Sequence, residues 1–264
     1  MKVTIFTSNQ PRHLALVEEI ASIADHVYVV QECNTVFPGQ VKDFFNRSPT
    51  MQEYFSHVIE AEKKYFGLPQ FSNSNTSVLS IKMGDLNLTT KSLLAPALNS
   101  DAYIIFGSSF IKSDLCDFLI QKKAINIHMG LSPFYRGSSC NFWALYDKRP
   151  DYVGSTVHLL NKGLDSGDIL FHTLPMIEKI DPFSLGMSAV KSTISSLSLY
   201  IKNKENYCAK AQDKSLEIRY TRNRDFTDTV AKNYLQNIAS PEAIQESLNN
   251  RDIMGLITYP SLLK

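Results

Sequence analysis

Lys2 to Ser8, KVTIFTS, is a β-branched apolar run that ends in turn residues, and Asp25 to Glu32, DHVYVVQE, is a second such run. Between them Leu14, Leu16, Val17 and Ile20 recur at helical spacing behind Pro11, which suits the first turn of a helix. Strand, helix and strand at this distance make a βαβ unit, which closes right-handed and lays its strands parallel. A parallel pair needs cover on both faces. This one feature therefore commits the chain to a layered α/β fold.

The rest of the chain reads the same way. Strands are predicted in SVLSIKMGDLN, DAYIIFGSSF, AINIHM, STVHLLN and DILFHTLPM, with a helix after Pro182. Pro38 to Gly67 is aromatic-rich and mostly helical, with a break near Ser48-Pro49; its rings are read as packing, or as shaping a dedicated substrate pocket. Beyond about Tyr207 the texture changes to a strand within KSLEIRYTRNRDF, a helix in TDTVAKNYLQNI and a helix from Ser240-Pro241. At 264 residues and 44% hydrophobic, the chain can bury one large core with a small addition. The expected fold is α/β, a Rossmann-like, mostly parallel sheet over residues 1–205, with a small C-terminal α+β subdomain over 206–264. The first strand lacks G-x-G-x-x-G, which argues against a nicotinamide or flavin dinucleotide.

A formal charge of +1 gives no basic face for a nucleic-acid partner. No apolar run is long enough to cross a membrane, and the N-terminus does not read as a secretory signal. Cys33, Cys116, Cys140 and Cys208 match no metal spacing. A cytoplasmic protein with free thiols and no metal is expected.

The chemistry concentrates at one strand end. Asn126 and His128, two apart in AINIHM, point to the same side of their strand, and open parallel sheets place ligands at carboxyl strand ends. Further on, NKGLDSGDIL brackets Asp165 with Gly163 and Gly167, which suits a tight loop. The imidazole can carry a proton, the amide can donate to a developing oxyanion, and the carboxylate can hold the imidazole charged or relay a proton. No serine or cysteine is placed as a nucleophile, so the set suits direct attack of an amine on a carbonyl. Each residue alone also reads as a strand-end, core or turn former.

The ensemble INIHMGLSPFYRGSSCNFWAL followed by GSTVHLLNKGLDSGDIL resembles the formyltransferases that use 10-formyltetrahydrofolate. That family joins Asn-x-His at a strand end to a Leu-x-Pro-x-Tyr/Trp-Arg-Gly-like loop and a later Leu-Asp-x-Gly; the resemblance is clear from Asp101 to Pro175. It implies that Asn126, His128 and Asp165 are catalytic. A primary amine attacks the formyl carbon, Asn126 and His128 hold the tetrahedral intermediate, Asp165 assists proton transfer, and tetrahydrofolate is the product. It also implies a pterin pocket formed by Ser109, Phe110 and Ile111 with Asn161, Gly163 and Leu164.

The acceptor is less legible. TSNQPRH has no glycine where the glycinamide ribonucleotide enzymes carry a phosphate loop. The short, charge-balanced tail disfavours the methionyl-tRNA enzymes. The resemblance is nearest to the sugar-nucleotide N-formyltransferases, which implies a nucleotide-linked amino sugar for a surface polysaccharide such as the O-antigen of lipopolysaccharide. Ser8, Asn9 and Arg12, at the first helix N-terminus, are read either as acceptor contacts or as a cap with a solvated arginine. Tyr135 and Arg136 are expected to line the acceptor pocket. Trp143 is expected to pack its helix, and Arg219, Arg222 and Arg224 to form a solvated, salt-bridged patch. Another small amine, such as hydroxyornithine, and a folate-binding protein without turnover stay open. The assembly leaves room for a homodimer.

Overall fold

The computed structural model describes residues 1–34, 47–203 and 208–259. Part of the expected helical stretch, 38–46, and the expected boundary at 205/206 lie outside them.

A seven-stranded sheet runs in the order β3-β2-β1-β4-β5-β7-β8: β1 (Lys2–Ser8), β2 (His26–Cys33), β3 (Thr76–Lys82), β4 (Ala102–Phe106), β5 (Ile125–His128), β7 (Ser155–Leu159) and β8 (Ile169–Thr173). From β3 through β5 every pairing is parallel; β5–β7 and β7–β8 are antiparallel. Helix α1 (Pro11–Ala21) makes the expected β1–β2 crossover, with Pro11 at its start.

The apolar runs are continuous because the central strands are covered on both faces. Val3, Ile5, Val27, Val29 and Ile104 pack under α1 and α5 (Pro182–Lys202) with Leu16, Ile20 and Leu197. Phe6, Val30, Tyr103 and Ile105 face the opposite way, against Leu86 and against Leu115 and Leu119 of α3 (Ser113–Gln121). Each such buried side chain contributes roughly 1.5–3 kcal/mol. Helix α5 is serine-rich and yet largely buried. It approaches β7 and β8 closely, and Thr193, Ser155 and Thr173 satisfy one another's hydroxyls at 2.5–2.8 Å.

Helix α2 (Pro49–Phe66) carries the described part of the aromatic segment. Tyr54 is its hub, meeting Phe142, Phe183, Phe226 and Tyr234 at ring separations of 5.0–6.1 Å. These rings bind α2 to α4 (Cys140–Tyr146), α5 and α6 (Asp228–Gln236), so packing is their role. Trp143 is buried in α4 with the Arg219 guanidinium 4.8 Å from its ring centre. That arginine is bound to Asp147 at 2.7 and 2.8 Å rather than left in a solvated patch.

The C-terminal segment is sewn to the large sheet and to the loop after β5. Strand β9 (Arg219–Thr221) pairs with β6 (Tyr135–Gly137), Lys210 bridges to Ile169, and Thr258 bridges to His172 on the outer strand β8. Helix α7 (Pro241–Asn249) buries Ile244 and Leu248 in the same cluster as Tyr135 and Trp143. His172 Nε2 donates to the Ser132 carbonyl at 2.8 Å, and its Nδ1 accepts from the Ile257 amide at 3.0 Å. Only a neutral ring can do both. Burial pushes its pKa down to about 4, against a smaller upward pull from the Ser132 carbonyl.

A histidine with a depressed native pKa stabilises fully above its unfolded value of 6.5, and the contribution disappears as pH falls through the native value. Chemical denaturation is therefore expected to show a loss of about 3 kcal/mol between pH 6.5 and 4. His172→Gln, which can still donate and accept, should flatten that dependence.

Candidate active site

The site is assembled at the carboxyl ends of β4 and β5. In the β5–β7 register Asn126 stands opposite His158, and His128 opposite Thr156, so Asn126, His128 and His158 share a face. Asp165 enters from the loop between β7 and β8. That loop closes on Gly167, where an added Cβ would lie 1.7 Å from the Leu159 carbonyl oxygen, a spacing that only glycine permits. Asp165 itself adopts a left-handed φ of 46°, a backbone state uncommon for residues other than glycine and often found where function requires it.

The carboxylate is the meeting point. Asp165 Oδ2 lies 3.2 Å from His128 Nδ1, and Oδ1 accepts from Asn126 Nδ2 at 3.2 Å. Asn126 Nδ2 also donates to His158 Nε2 at 3.1 Å, while His158 Nδ1 donates to the Leu159 carbonyl at 2.8 Å. Both ring nitrogens of His158 are thereby satisfied, and the ring fixes which way the Asn126 amide points. His128 Nε2 donates to the Tyr135 carbonyl at 3.3 Å.

Burial alone would drive His128 toward neutrality. The Asp165 carboxylate and, after it, the neighbouring Cys140 sulfur outweigh that, and its pKa lies well above the ordinary value. Asp165 is largely buried, which favours its acid form, but the charge of His128 and its hydrogen bond hold the carboxyl well below the usual carboxylate range. The pair is an imidazolium and a carboxylate at neutral pH. Such a pair can stabilise negative charge on a carbonyl oxygen and accept a proton from an attacking amine.

A cavity of about 200 Å³ opens beside Asn126, Asp165 and His158. Its remaining walls are the chain from Gly107 to Ile111, the Gly163–Leu164 turn, and Ile105, Ile127 and Leu160. Ser109, Phe110, Ile111, Gly163 and Leu164 thus come together around one space. Asn161 stands behind it, its side chain tying Gly163 N and Ser166 Oγ within the loop.

The expected acceptor contacts are placed differently. Arg12 is bound through Nη1 to Glu62 of α2 at 2.7 Å, a carboxylate almost wholly buried, so its charge is spent within the fold. The Tyr135 ring is in the core and its hydroxyl donates to Asp147; only its carbonyl reaches the site. Arg136 pairs with Glu217 at 2.8 Å. Ser8 and Asn9 are buried at the β1–α1 turn, where Asn9 Oδ1 accepts from the Asn34 amide. Among the described residues, the buried atoms Ser8 Oγ, Gln10 Oε1 and His13 Nδ1 have no hydrogen-bond partner.

Sequence reasoning missed two residues. The alternation of STVHLLN could have marked His158 as inward-facing, but not as the partner of Asn126. Gln212 gave no signal at all; its Nε2 donates to the carbonyls of Asp165 and Gly167 at 2.9 Å and clamps the strained turn.

Fold and site define an α/β protein with an amide, an imidazolium and a carboxylate gathered beside a cavity, a set suited to acyl transfer. Residues 103–185 match the formyl transferase family model. It is 45% identical over 56 residues to a methionyl-tRNA formyltransferase of Lachnospira eligens, a stretch covering 21% of this chain and 16% of that protein. The match therefore spans about a sixth of that relative's length. Among solved structures, the fold resembles a sugar N-formyltransferase from Shewanella sp FDAARGOS_354, with a TM-score of 0.50, 19% identity, and 86% and 78% of the two chains covered. It also resembles phosphoribosylglycinamide formyltransferase from Anaplasma phagocytophilum, with a TM-score of 0.51, 17% identity, and 84% and 98% covered.

The family's formyl donor is 10-formyltetrahydrofolate. The cavity fits a flat, polar-edged pterin in kind, since Asn126, Asp165 and the segments 107–111 and 163–164 bring polar groups to it and Ile105, Ile127 and Leu160 supply apolar side chains.

The ion pair makes a direct prediction. In Asp165→Asn the largest upward pull on His128 goes while burial remains, so the ring should titrate at a lower pH than in the wild type. The wild-type ring should remain an imidazolium through neutral pH. Proton NMR of the His128 ring distinguishes the two.

Proposed function

We propose that this chain is an N-formyltransferase that moves a formyl group from 10-formyltetrahydrofolate to the amine of a nucleotide-linked amino sugar. The observation that carries the reading is the His128–Asp165 ion pair with Asn126 beside a cavity that residues 107–111 and 163–165 help to line.

The bound donor supplies an electrophilic carbonyl carbon. Around it, His128 and Asn126 offer N–H groups to the oxygen on which negative charge develops. Both are tied to protein acceptors in the resting arrangement, so stabilising that oxygen requires one N–H to turn from Asp165 toward it. A carboxylate that gives up a donor becomes a better proton acceptor, which suits Asp165 to take the proton released by the attacking amine. His158 keeps the Asn126 amide aimed during this exchange. Holding the amine beside the donor supplies much of the remaining acceleration.

The small-molecule acceptor is favoured by where the cations sit. Arg12, Arg136, Arg149 and Arg219 are each paired with a carboxylate, and the net charge is only +1. A tRNA needs several phosphate contacts from unspent cations. The paired Arg12 and the glycine-free turn at Ser8–Arg12 likewise speak against a ribonucleotide phosphate held there. The methionyl-tRNA reading draws its support from the 56-residue match. The Shewanella sugar N-formyltransferase, which shares the fold, supports the sugar reading.

Incubation with 10-formyltetrahydrofolate and a panel of dTDP-, UDP- and GDP-linked amino sugars, glycinamide ribonucleotide, hydroxyornithine and methionyl-tRNA tests this by mass spectrometry. One sugar nucleotide should gain a formyl group; formylation confined to methionyl-tRNA or to another amine would replace the sugar reading. With the true acceptor, Asn126→Ala, His128→Ala and Asp165→Ala should each lower kcat by about a hundredfold or more. Near-wild-type turnover in any of them would overturn the role given to that residue.

A further inference from the structure

Glu32, the penultimate residue of β2, is fully buried. Three main-chain N–H groups converge on its carboxylate. Gly84 N and Leu86 N donate to Oε1 at 2.9 and 3.3 Å, and Ser109 N donates to Oε2 at 2.5 Å. A carboxylate taken out of water is costly unless such charge-assisted bonds compensate it. An apolar residue could have filled this strand end more cheaply. What the carboxylate adds is a fixed separation between the turn after β3 and the loop after β4.

Asn87 grips the same loop from the same side. Its Nδ2 donates to the Phe110 carbonyl at 2.9 Å, and its Oδ1 accepts from Lys112 N at 2.8 Å. Ser109 N, Phe110 O and Lys112 N are thus all held by side chains from outside the cavity. The loop begins at Gly107, with φ of 75° and with the His13 ring where a Cβ would stand. The stretch from Gly107 to Ile111 is one wall of the cavity.

We propose that Glu32 and Asn87 are positioning residues for the donor: they hold the main chain of residues 109–112 in the shape that receives the pterin end of the folate. This rests on the reading of the cavity as the donor site. Neither residue lines the cavity or comes within hydrogen-bond reach of Asn126, His128 or Asp165, so both act on donor binding and not on the chemical step.

The test combines two readouts on the full chain. Amide hydrogen exchange of residues 107–112 is measured without ligand, and the Kd for tetrahydrofolate is measured by calorimetry. Glu32→Gln puts an NH2 group against N–H donors; it should speed exchange in 107–112 and weaken tetrahydrofolate about tenfold. At saturating donor kcat should change by less than about twofold. Asn87→Ala, at an exposed position, should act in the same direction by a smaller factor, and it decides the matter if Glu32→Gln does not fold. Unchanged exchange and Kd in both variants would overturn the inference, as would faster exchange spread evenly over the whole sheet. Wild-type protein that fails to bind tetrahydrofolate would overturn the donor reading itself, whatever the loop does.

Discussion

A single buried carboxylate sets the terms for the rest of the molecule. Asp165 is largely withdrawn from water, and an unpaired charge there would cost several kcal/mol. The fold answers with His128, Asn126 and His158 around the carboxylate and Gln212 on the carbonyl of the same residue. Those groups come from two strands and the C-terminal segment. The reversal from parallel to antiparallel pairing at β5 serves the same end, since it sets His158 opposite Asn126. Both strand ends and the tight turn at Gly167 are conditions for keeping one charge in place.

The sheet can hold this arrangement because its layers are closely seated. Helix α5 presents small residues to β7 and β8, and the hydroxyls of Ser155, Thr173 and Thr193 satisfy one another in the gap. A helix of larger side chains would stand further off and leave β7 freer to shift. Against the same helix, the rings around Tyr54 lock α2 over α4 and α6. Rigid, closely packed elements bring side chains from distant parts of the chain into fixed geometry, which is what electrostatic catalysis asks of a scaffold.

Much of the architecture was legible because its signals are local. The β1–α1–β2 unit follows from periodicity and a proline, and the shared direction of Asn126 and His128 follows from the two-residue repeat of a strand. The bracketing glycines marked the Asp165 turn. What stayed hidden depends on pairings between distant segments. Arg12 looked free for a phosphate because Glu62, fifty residues away on another helix, carries no mark of its partner. Tyr135 looked like a pocket residue because a strand that pairs with β9, more than eighty residues on, cannot be read from its own few residues. His158 and Gln212 escaped for the same reason: their roles exist only in the register and the closure of the tail.

The bonds from His172 to Ser132 and Ile257 tie the loop just beyond β5 to the C-terminal segment. Through them, the outermost strand borrows its edge cover from the tail, and the loop borrows part of its anchorage. The tail thus behaves less as an appendage than as a keystone laid last. Anyone grafting a different C-terminal module onto this core would have to supply a main-chain donor at the position of the Ile257 amide, or redesign His172 with it. Modules that diverge beyond that point leave the core untouched; those that diverge before it inherit a gap reaching to the loop behind His128.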